Sequence, residues 1–229
     1  MRDSSDGHAF DKDYWDQHWQ GAREGAGAAI PPSPPNPHLV REIDDLEPGM
    51  ALDAGCGAGA EALWLAARGW QVTGVDIAAG ALSRAARRAA AMGSPDRVEW
   101  VTADLSAWEP PTAYDLVTTH YAHPAMPQLE FYDRISSWVA PGGTLLIVGH
   151  GHHAPGHHDH GHDDDGPPAA ASITAADITA RLDLATWEVA TAEELQRTVA
   201  GHGGGTVTLD DVVVRAIRRR TATRTAHRT

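Results

Sequence analysis

The chain is poor in cysteine and in long apolar runs. Cys56 is the only cysteine among 229 residues, so no disulfide can form within the chain and a reducing, cytoplasmic environment is expected. A single thiol also excludes a cysteine-based zinc site. No apolar run reaches the roughly 18 residues that a membrane-spanning helix needs, and residues 1–10 lack the apolar core of a secretion signal. We therefore expect no membrane association.

Basic residues are scarce over most of the chain. Lys12 is the only lysine, and six arginines lie in residues 215–229, which leaves 12 basic against 31 acidic residues elsewhere. An acidic surface repels nucleic acid and anionic lipid, so we expect no nucleic-acid partner and a small molecule as the ligand. The arginine-rich end, residues 218–229, is predicted to be a flexible tail outside the folded domain.

Helical and extended patterns alternate through the middle of the chain. Strands are predicted at residues 50–54, 71–75, 98–102, 114–119 and 144–148, and helices at 38–46, 60–68, 79–92 and 128–139. Short apolar strands that alternate with helices are typical of an α/β fold, in which a doubly wound parallel sheet is covered by helices on both faces.

The alternation stops at residues 149–168, a tract of glycine, histidine, aspartate and proline. Beyond it, residues 174–182 have a helical pattern, and residues 186–190 and 207–217 have an extended one. The segment 191–205 between these two strands is too short for a helical crossover, so we predict an antiparallel pair at one edge of the sheet. The sheet is then seven-stranded and mostly parallel, with an antiparallel last strand.

A glycine-rich turn, Gly55 to Gly59, lies between the first predicted strand and a helix. Glycines let the backbone turn tightly and approach a ligand, and the start of a helix offers unpaired N–H groups to an anion. Asp76 ends the next strand, 21 residues after Gly55, where a carboxylate is suited to the two hydroxyls of a ribose. The turn therefore predicts a nucleoside-containing ligand.

This pattern also satisfies the fingerprint of dinucleotide-binding proteins, so an NAD(P)-dependent oxidoreductase is the alternative. Asp53, which precedes the glycines, would oppose a pyrophosphate but suits a ligand with an ammonium group. A short-chain dehydrogenase needs a Tyr-x-x-x-Lys pair, and Lys12 is the only lysine. The chain also has no room for a separate catalytic domain. These features favour an ammonium-bearing nucleoside over a dinucleotide.

Five segments taken together resemble the ordered motifs of class I S-adenosylmethionine-dependent methyltransferases. Residues 51–59 are similar to motif I, 70–77 to the second motif and 101–105 to the turn that contacts adenine. Residues 114–117 and 141–145 are similar to the family's fourth and fifth strands, together with the residues that lead into these strands. The order of the five motifs is specific for the fold and the cofactor, and it carries no information about the methyl acceptor.

The resemblance covers about residues 38–217 and implies a Rossmann-like methyltransferase fold with S-adenosylmethionine as cofactor. The glycine turn would face the methionine part, with Asp53 near its amino group, directly or through water. Asp76 would bind the ribose, and Asp104 would accept a hydrogen bond from the adenine amine. The full set of cofactor-binding residues that the resemblance implies is Asp53, Gly55, Gly57, Gly59, Asp76, Ile77, Asp104, Leu105 and His120.

The segment that follows the fourth strand, Thr118 to Pro124, bears on the methyl acceptor. It departs from the Asn/Asp-Pro-Pro-aromatic motif that methylates amines of nucleobases, so a nucleobase acceptor is disfavoured. His120 ends the strand where this fold lines its active site, which makes it a candidate general base. His123 is a second candidate, and Tyr121 is a candidate acceptor contact. For each histidine, a purely structural role is the alternative.

An aromatic cluster marks the predicted N-terminal arm, residues 1–37. It resembles the opening of thiopurine-methyltransferase-like and tellurite-resistance-type enzymes, which implies a small, soft acceptor, with sulfur, selenium or tellurium ahead of oxygen. We predict that Tyr14, Trp15 and Trp19 contact the acceptor and close a lid that excludes water. The alternative is that these rings simply pack a terminal helix on the core.

Half of the chain's 14 histidines fall in or beside the tract at residues 149–168. Imidazole suits Zn, Ni, Cu and Fe, and the tract follows the carboxyl end of the fifth strand, where such sheets bind ligands. A divalent transition-metal site is therefore predicted near the active site. Alternatives are an insert without a specific role, adventitious binding, or a metal sensor on a methyltransferase scaffold without turnover. The candidate ligands are His150, His152, His153, His157, His158, His160 and His162.

Overall fold

The computed structural model describes residues 11–21, 34–93, 95–151, 173–200 and 206–220. The strands are β1 (Met50–Ala54), β2 (Gln71–Asp76), β3 (Val98–Thr102), β4 (Tyr114–His120), β5 (Val139–His150), β6 (Trp187–Ala200) and β7 (Thr206–Arg218). The helices are α1 (Lys12–Gly21), α2 (Pro37–Ile43), α3 (Ala60–Ala67), α4 (Ala79–Ala91), α5 (Gln128–Ser137) and α6 (Ala175–Thr179).

The seven strands form one sheet in the order β3-β2-β1-β4-β5-β7-β6. Neighbours among β1 to β5 pair in parallel, whereas β7 runs antiparallel to both β5 and β6. The predicted doubly wound, mostly parallel sheet with an antiparallel last strand is therefore confirmed. Because the order reverses between β1 and β4, the carboxyl ends of these strands border the crevice where such sheets bind ligands.

Side chains alternate between the two faces of the sheet and build two cores. Along β5, Leu145 and Ile147 join the core that receives α5 and α6, whereas Leu146 and Val148 join the core that receives α2 and α3. All four residues are fully buried. A strand that is buried on both faces reads as one continuous apolar run, which is why β5 shows no alternation of polar and apolar residues.

The sixth strand is longer than predicted, whereas the long last strand and the antiparallel pairing of the two agree with the prediction. Residues 191–205 are predicted to be a connection, but β6 continues to Ala200 and pairs with β7 as a long antiparallel hairpin. The pairing of β5 with β7 ends at His150 opposite Asp211, so the part of the hairpin beyond this point extends past β5. We call residues 196–200 and 206–210 the hairpin arm. Its polar residues resembled a loop because β6 is an edge strand that faces solvent.

None of the described helices is long and apolar enough to cross a membrane. Residues 221–229 of the predicted basic tail lie outside the described residues, as do residues 1–10 and 22–33 of the predicted arm and residues 152–168 of the histidine tract, whereas Arg218 of the tail belongs to β7. The proposed limits of the arm, domain and tail stay predictions.

Candidate active site

A cavity of about 460 Å³ opens at the carboxyl ends of β1, β2 and β4. Three predicted acceptor contacts line it, namely Trp15, Trp19 and Tyr121, whereas Tyr14 lies edge-on against the Trp15 ring. Asp53 and Gly59 are absent from the lining. The predicted cofactor-binding residues that line the cavity are Gly55, Gly57, Asp76, Ile77, Asp104, Leu105 and His120.

The glycine turn brings backbone close to the floor of this cavity. The N–H groups of Gly55 and Cys56 both donate to the carbonyl of Val75, at 2.9 and 3.0 Å, which fixes the turn against β2. Gly55 has a φ of +79°, and a Cβ placed on it would lie 2.3 Å from the Cβ of Ala122. Only glycine satisfies both the left-handed backbone and this close approach.

Asp76 is held in place by backbone groups. One carboxylate oxygen accepts from the Gly57 N–H and the other from the Ala78 N–H, both at 2.8 Å. Burial nevertheless raises the pKa of Asp76, because the charged form is poorly solvated in the wall of the cavity. Each oxygen keeps a further lone pair, so the carboxylate can accept hydrogen bonds from a ligand without releasing the turn.

Two acidic residues lie near the glycine turn, Asp53 buried beneath it and Glu61 in the cavity wall. Asp53 is only 1% exposed and lies beneath the turn, and its Oδ2 is buried without a hydrogen-bond partner among the described residues. Burial, reinforced by the charge of Glu61, raises the pKa of Asp53 well above its usual range. Glu61 on α3 lines the cavity itself and accepts from the Asn36 N–H at 3.0 Å. Sequence reasoning missed Glu61, because an acid in the first turn of a helix is also an ordinary N-terminal residue.

His120 and His123 both line the cavity and differ in their hydrogen bonds. His123 Nδ1 lies 3.1 Å from Gln128 Oε1, and Gln128 Nε2 donates to the Ala122 carbonyl. This orientation of the amide makes Oε1 the acceptor, so Nδ1 of His123 carries the proton. His120 Nε2 lies 3.4 Å from the Thr118 hydroxyl, and its Nδ1 is buried without a partner among the described residues. Burial lowers the pKa of both imidazoles, which favours their neutral forms.

These lowered pKa values predict a loss of stability in mild acid. In the unfolded chain a histidine takes up its proton near about pH 6.5, whereas folded His120 resists protonation. The free energy of unfolding is therefore undiminished above that pH and falls as the pH is lowered below it. The fall ends once the pH is below the pKa of folded His120. One such group changes the free energy of unfolding by up to about 1.4 kcal/mol per pH unit.

We expect His120→Asn to flatten the fall in stability from pH 6.5 to 5, measured by urea unfolding at each pH. Asp53 and Asp76 titrate in both proteins, so the difference between the two profiles reports His120 alone. Superimposable profiles would show that His120 is protonated as easily in the folded protein as in the unfolded chain.

A buried carboxylate on β7 contacts α2, β6 and the residue that follows β4, beside the cavity. Asp211 is 1% exposed and accepts from the Tyr121 hydroxyl at 2.7 Å and from Arg197 Nε, and its Oδ2 lies 3.0 Å from His38 Nε2. Burial, with the hydrogen bond to Asp211, raises the pKa of Tyr121 to about 12. Tyr121 is also the one described non-glycine residue with positive φ, at 53°. The network therefore holds the chain in a strained conformation directly after His120.

Helix α1 spans the two sides of the cavity. Trp15 Nε1 donates to the His123 carbonyl at 3.3 Å on one side. On the other, Arg84 of α4 donates to the Trp19 carbonyl at 2.8 Å, and a Cβ at Gly57 would lie 3.0 Å from the Trp19 ring. The two tryptophans thus lie over the glycine turn and the end of β4, as a cover for the cavity requires. Whether they contact an acceptor stays a prediction.

Among the seven predicted metal ligands, His150 is the one within the described residues, and the other six lie outside them. Its ring stacks on His123 with centroids 5.3 Å apart and lies 4.7 Å from the Tyr121 ring. No group of three or more metal-binding side chains forms within the part of the chain that the structure describes. The histidine tract nevertheless leaves the sheet next to the cavity.

The sequence is similar to those of known methyltransferases. Residues 51–143 match the methyltransferase domain family. The chain is 28% identical over 140 residues to probable thiol methyltransferase 2 of Arabidopsis thaliana, covering 58% of this chain and 59% of that protein. It is 31% identical over 115 residues to trans-aconitate 2-methyltransferase of Streptomyces avermitilis, covering 47% and 42%. The chain thus spans about half the length of these curated relatives.

Two solved structures have the same fold over most of the chain. One, from work on the conversion of a disulfide bond into a thioacetal group during echinomycin biosynthesis, covers 93% of both chains with a TM-score of 0.66 and 22% identity. TehB from Haemophilus influenzae covers 91% of this chain and 67% of its own, with a TM-score of 0.62 and 16% identity. The chain therefore has the fold of these two proteins, and residues 51–143 within it match the methyltransferase domain family.

Proposed function

We propose that this chain transfers a methyl group from S-adenosylmethionine to a small-molecule acceptor. The observation that carries the proposal is the Asp76 carboxylate, which is fixed by the glycine turn and lines the cavity with lone pairs to spare. A nucleoside with two vicinal hydroxyls is the ligand that such a group at the second strand end recognises.

The residues around the cavity fit the rest of the cofactor. Ile77 and Leu105 would contact the adenine, with Asp104 as acceptor for its amine, and Glu61 would hold the ammonium group. Asp53 lies beneath the turn and outside the cavity lining, so it would act on the same ammonium group only through the turn or a water molecule. When bound, the cofactor supplies a methyl group on a sulfonium, and the thioether left after methyl transfer is a good leaving group.

The protein's own contribution is alignment, exclusion of water and acceptance of a proton. Trp15 and Trp19 cover the cavity, and the dry pocket they form favours a displacement that disperses charge. His120 is neutral at neutral pH because burial lowers its pKa, so it can accept a proton when the acceptor is a hydroxyl or thiol. His123 is a second candidate on the same side of the cavity.

We propose a thiol or another soft nucleophile as the acceptor. The aromatic cover and the acidic body of the chain favour a small, uncharged or weakly polar molecule. A relative named as a probable thiol methyltransferase supports a thiol acceptor. A relative named as a trans-aconitate 2-methyltransferase makes a carboxylic acid the alternative acceptor.

The proposal is tested by incubating the full-length chain with S-adenosylmethionine and a panel of thiols, with S-adenosylhomocysteine measured as product. Turnover that is weakened in His120→Asn supports the assignment. No product with thiols, selenols, hydroxyls or carboxylic acids, although the cofactor binds, would favour a scaffold without turnover. Binding of NAD(P) in place of S-adenosylhomocysteine would favour the oxidoreductase alternative.

We further propose that the histidine tract binds a divalent transition ion beside the cavity. The contact of His150 with Tyr121 and His123 supports this, because it puts the start of the tract next to the acceptor pocket. Imidazole ligands release a metal when they are protonated, so binding at neutral pH should be lost near about pH 5. Titration calorimetry with Ni²⁺ or Zn²⁺ tests this, and heat no larger than that of a variant lacking residues 152–168 would refute it.

A further inference from the structure

A cationic group on the hairpin arm lines the cavity and has no part in the chemistry described above. Arg197 lies on β6, beyond the end of β5, and its side chain is 26% exposed in the cavity wall. We propose that Arg197 is a receptor for a carboxylate of a molecule bound in this cavity. The proposal rests on the proposed function in that the cavity must hold a ligand, and it names a residue and a chemical class that the methyl-transfer assignment leaves open.

Arg197 is fixed before any ligand arrives. Its Nε donates to Asp211, and its Nη2 donates to the Tyr121 hydroxyl at 3.0 Å. Asp211 is itself fixed by Tyr121 and by contact with His38. The Tyr121 hydroxyl gives its only proton to Asp211, so its oxygen must accept from Arg197. A flexible arginine side chain thereby becomes a rigid group, which lowers the entropy lost when it binds.

The guanidinium group has donors left for a ligand. Of its five N–H groups, those on Nη1 have no hydrogen-bond partner among the described residues. A planar fork of N–H donors matches the geometry of a carboxylate, which it binds in bidentate fashion.

The position of Arg197 leaves two sources for the carboxylate. Asn36 links Glu61 to this network, because its N–H donates to Glu61 and its Nδ2 donates to the Tyr121 hydroxyl at 3.4 Å. An acid and an arginine therefore lie on either side of Asn36, as the ammonium and carboxylate of an amino acid would require. The carboxylate then belongs either to the methionine part of the cofactor or to the methyl acceptor.

The test measures dissociation constants by calorimetry for the full-length wild-type chain, Arg197→Gln and Arg197→Lys. One arm compares S-adenosylhomocysteine with 5′-methylthioadenosine, which lacks the amino-acid end. The other compares succinate with succinamide, with and without saturating S-adenosylhomocysteine. Arg181→Gln is the matched control, since Arg181 pairs with Asp133 at the surface. Arg197→Lys keeps a charge opposite Asp211 in case the glutamine variant unfolds, and melting temperatures confirm that each variant is folded.

If the cofactor supplies the carboxylate, Arg197→Gln should raise the dissociation constant of S-adenosylhomocysteine at least about tenfold. The dissociation constant of 5′-methylthioadenosine should stay within about twofold of the wild-type value. If the acceptor supplies it, both nucleosides bind as before and the preference for succinate over succinamide disappears. A folded variant that changes neither preference overturns the proposal. Should wild type bind neither nucleoside, the proposed function fails, whereas the succinate arm without nucleoside still tests Arg197.

Discussion

Asp76→Ala should abolish the rise in melting temperature that S-adenosylhomocysteine gives to the wild-type chain. The carboxylate lines the cavity at the end of β2, and two charge-assisted hydrogen bonds to a ribose contribute about 1.5 to 3 kcal/mol each. Their loss corresponds to at least about a hundredfold weaker binding. A ligand that binds only the folded state stabilises it by RT ln(1 + [L]/Kd), so the shift should vanish at ligand concentrations well below the weakened Kd.

The design of this experiment must separate binding from stability. Asp76 also accepts from the N–H groups of Gly57 and Ala78, so the alanine variant will melt lower without any ligand. The informative quantity is the ligand-induced shift within each variant. Asp96→Ala is the matched control, because Asp96 is exposed and absent from the cavity lining. An undiminished shift in Asp76→Ala would mean that the ribose lies elsewhere.

Asp211→Asn should lower the free energy of unfolding by about 2 to 3 kcal/mol, because it removes the charge from a buried, hydrogen-bonded acceptor. The Asp211 side chain is fully buried, whereas that of Arg197 is 26% exposed, so water offsets part of the loss. Asparagine can keep one acceptor oxygen for Tyr121, but its NH₂ group would then face Arg197 Nε. The variant therefore loses a hydrogen bond and leaves a cation without its partner.

The chain offers a matched surface pair for comparison. Glu188 pairs with Arg219 at 3.4 Å, and the two side chains are 60% and 51% exposed. Because water solvates both charged groups in either state, Glu188→Gln should cost less than about 1 kcal/mol. Urea unfolding of both variants, with equal slopes to confirm two-state behaviour, provides the measurement. Equal losses would indicate that Asp211 makes no more than a surface contribution.

The sheet was predictable because its signals are local. Apolar segments bounded by glycine and proline placed β1 and β3 at their observed limits, and β2 and β4 within one residue of theirs. The hairpin arm was not predictable in this way. Its stability comes from pairing between residues that are separated along the chain, such as Arg197 and Leu209, and its polar sequence is that of an edge strand or a loop.

The glycine turn and Asp76 could be proposed from the sequence, because a glycine turn and an acid at the next strand end occur at a fixed sequence spacing. The residues on the other side of the cavity have no fixed spacing in the sequence. Asn36, Tyr121, Arg197 and Asp211 come from four separate regions of the chain and meet only in the folded protein. Nothing in the immediate neighbourhood of Arg197 distinguishes it from the other arginines of the chain, so only the structure identifies it.

The proposed function requires a cavity that recognises a nucleoside bearing an amino acid on sulfur. Calorimetric titration of S-adenosylhomocysteine into the full-length chain tests this most directly. We expect one molecule to bind per chain with measurable heat, and S-adenosylmethionine to compete for the same site. A folded protein that gives no heat and no change in melting temperature with either compound would contradict the proposed cofactor site.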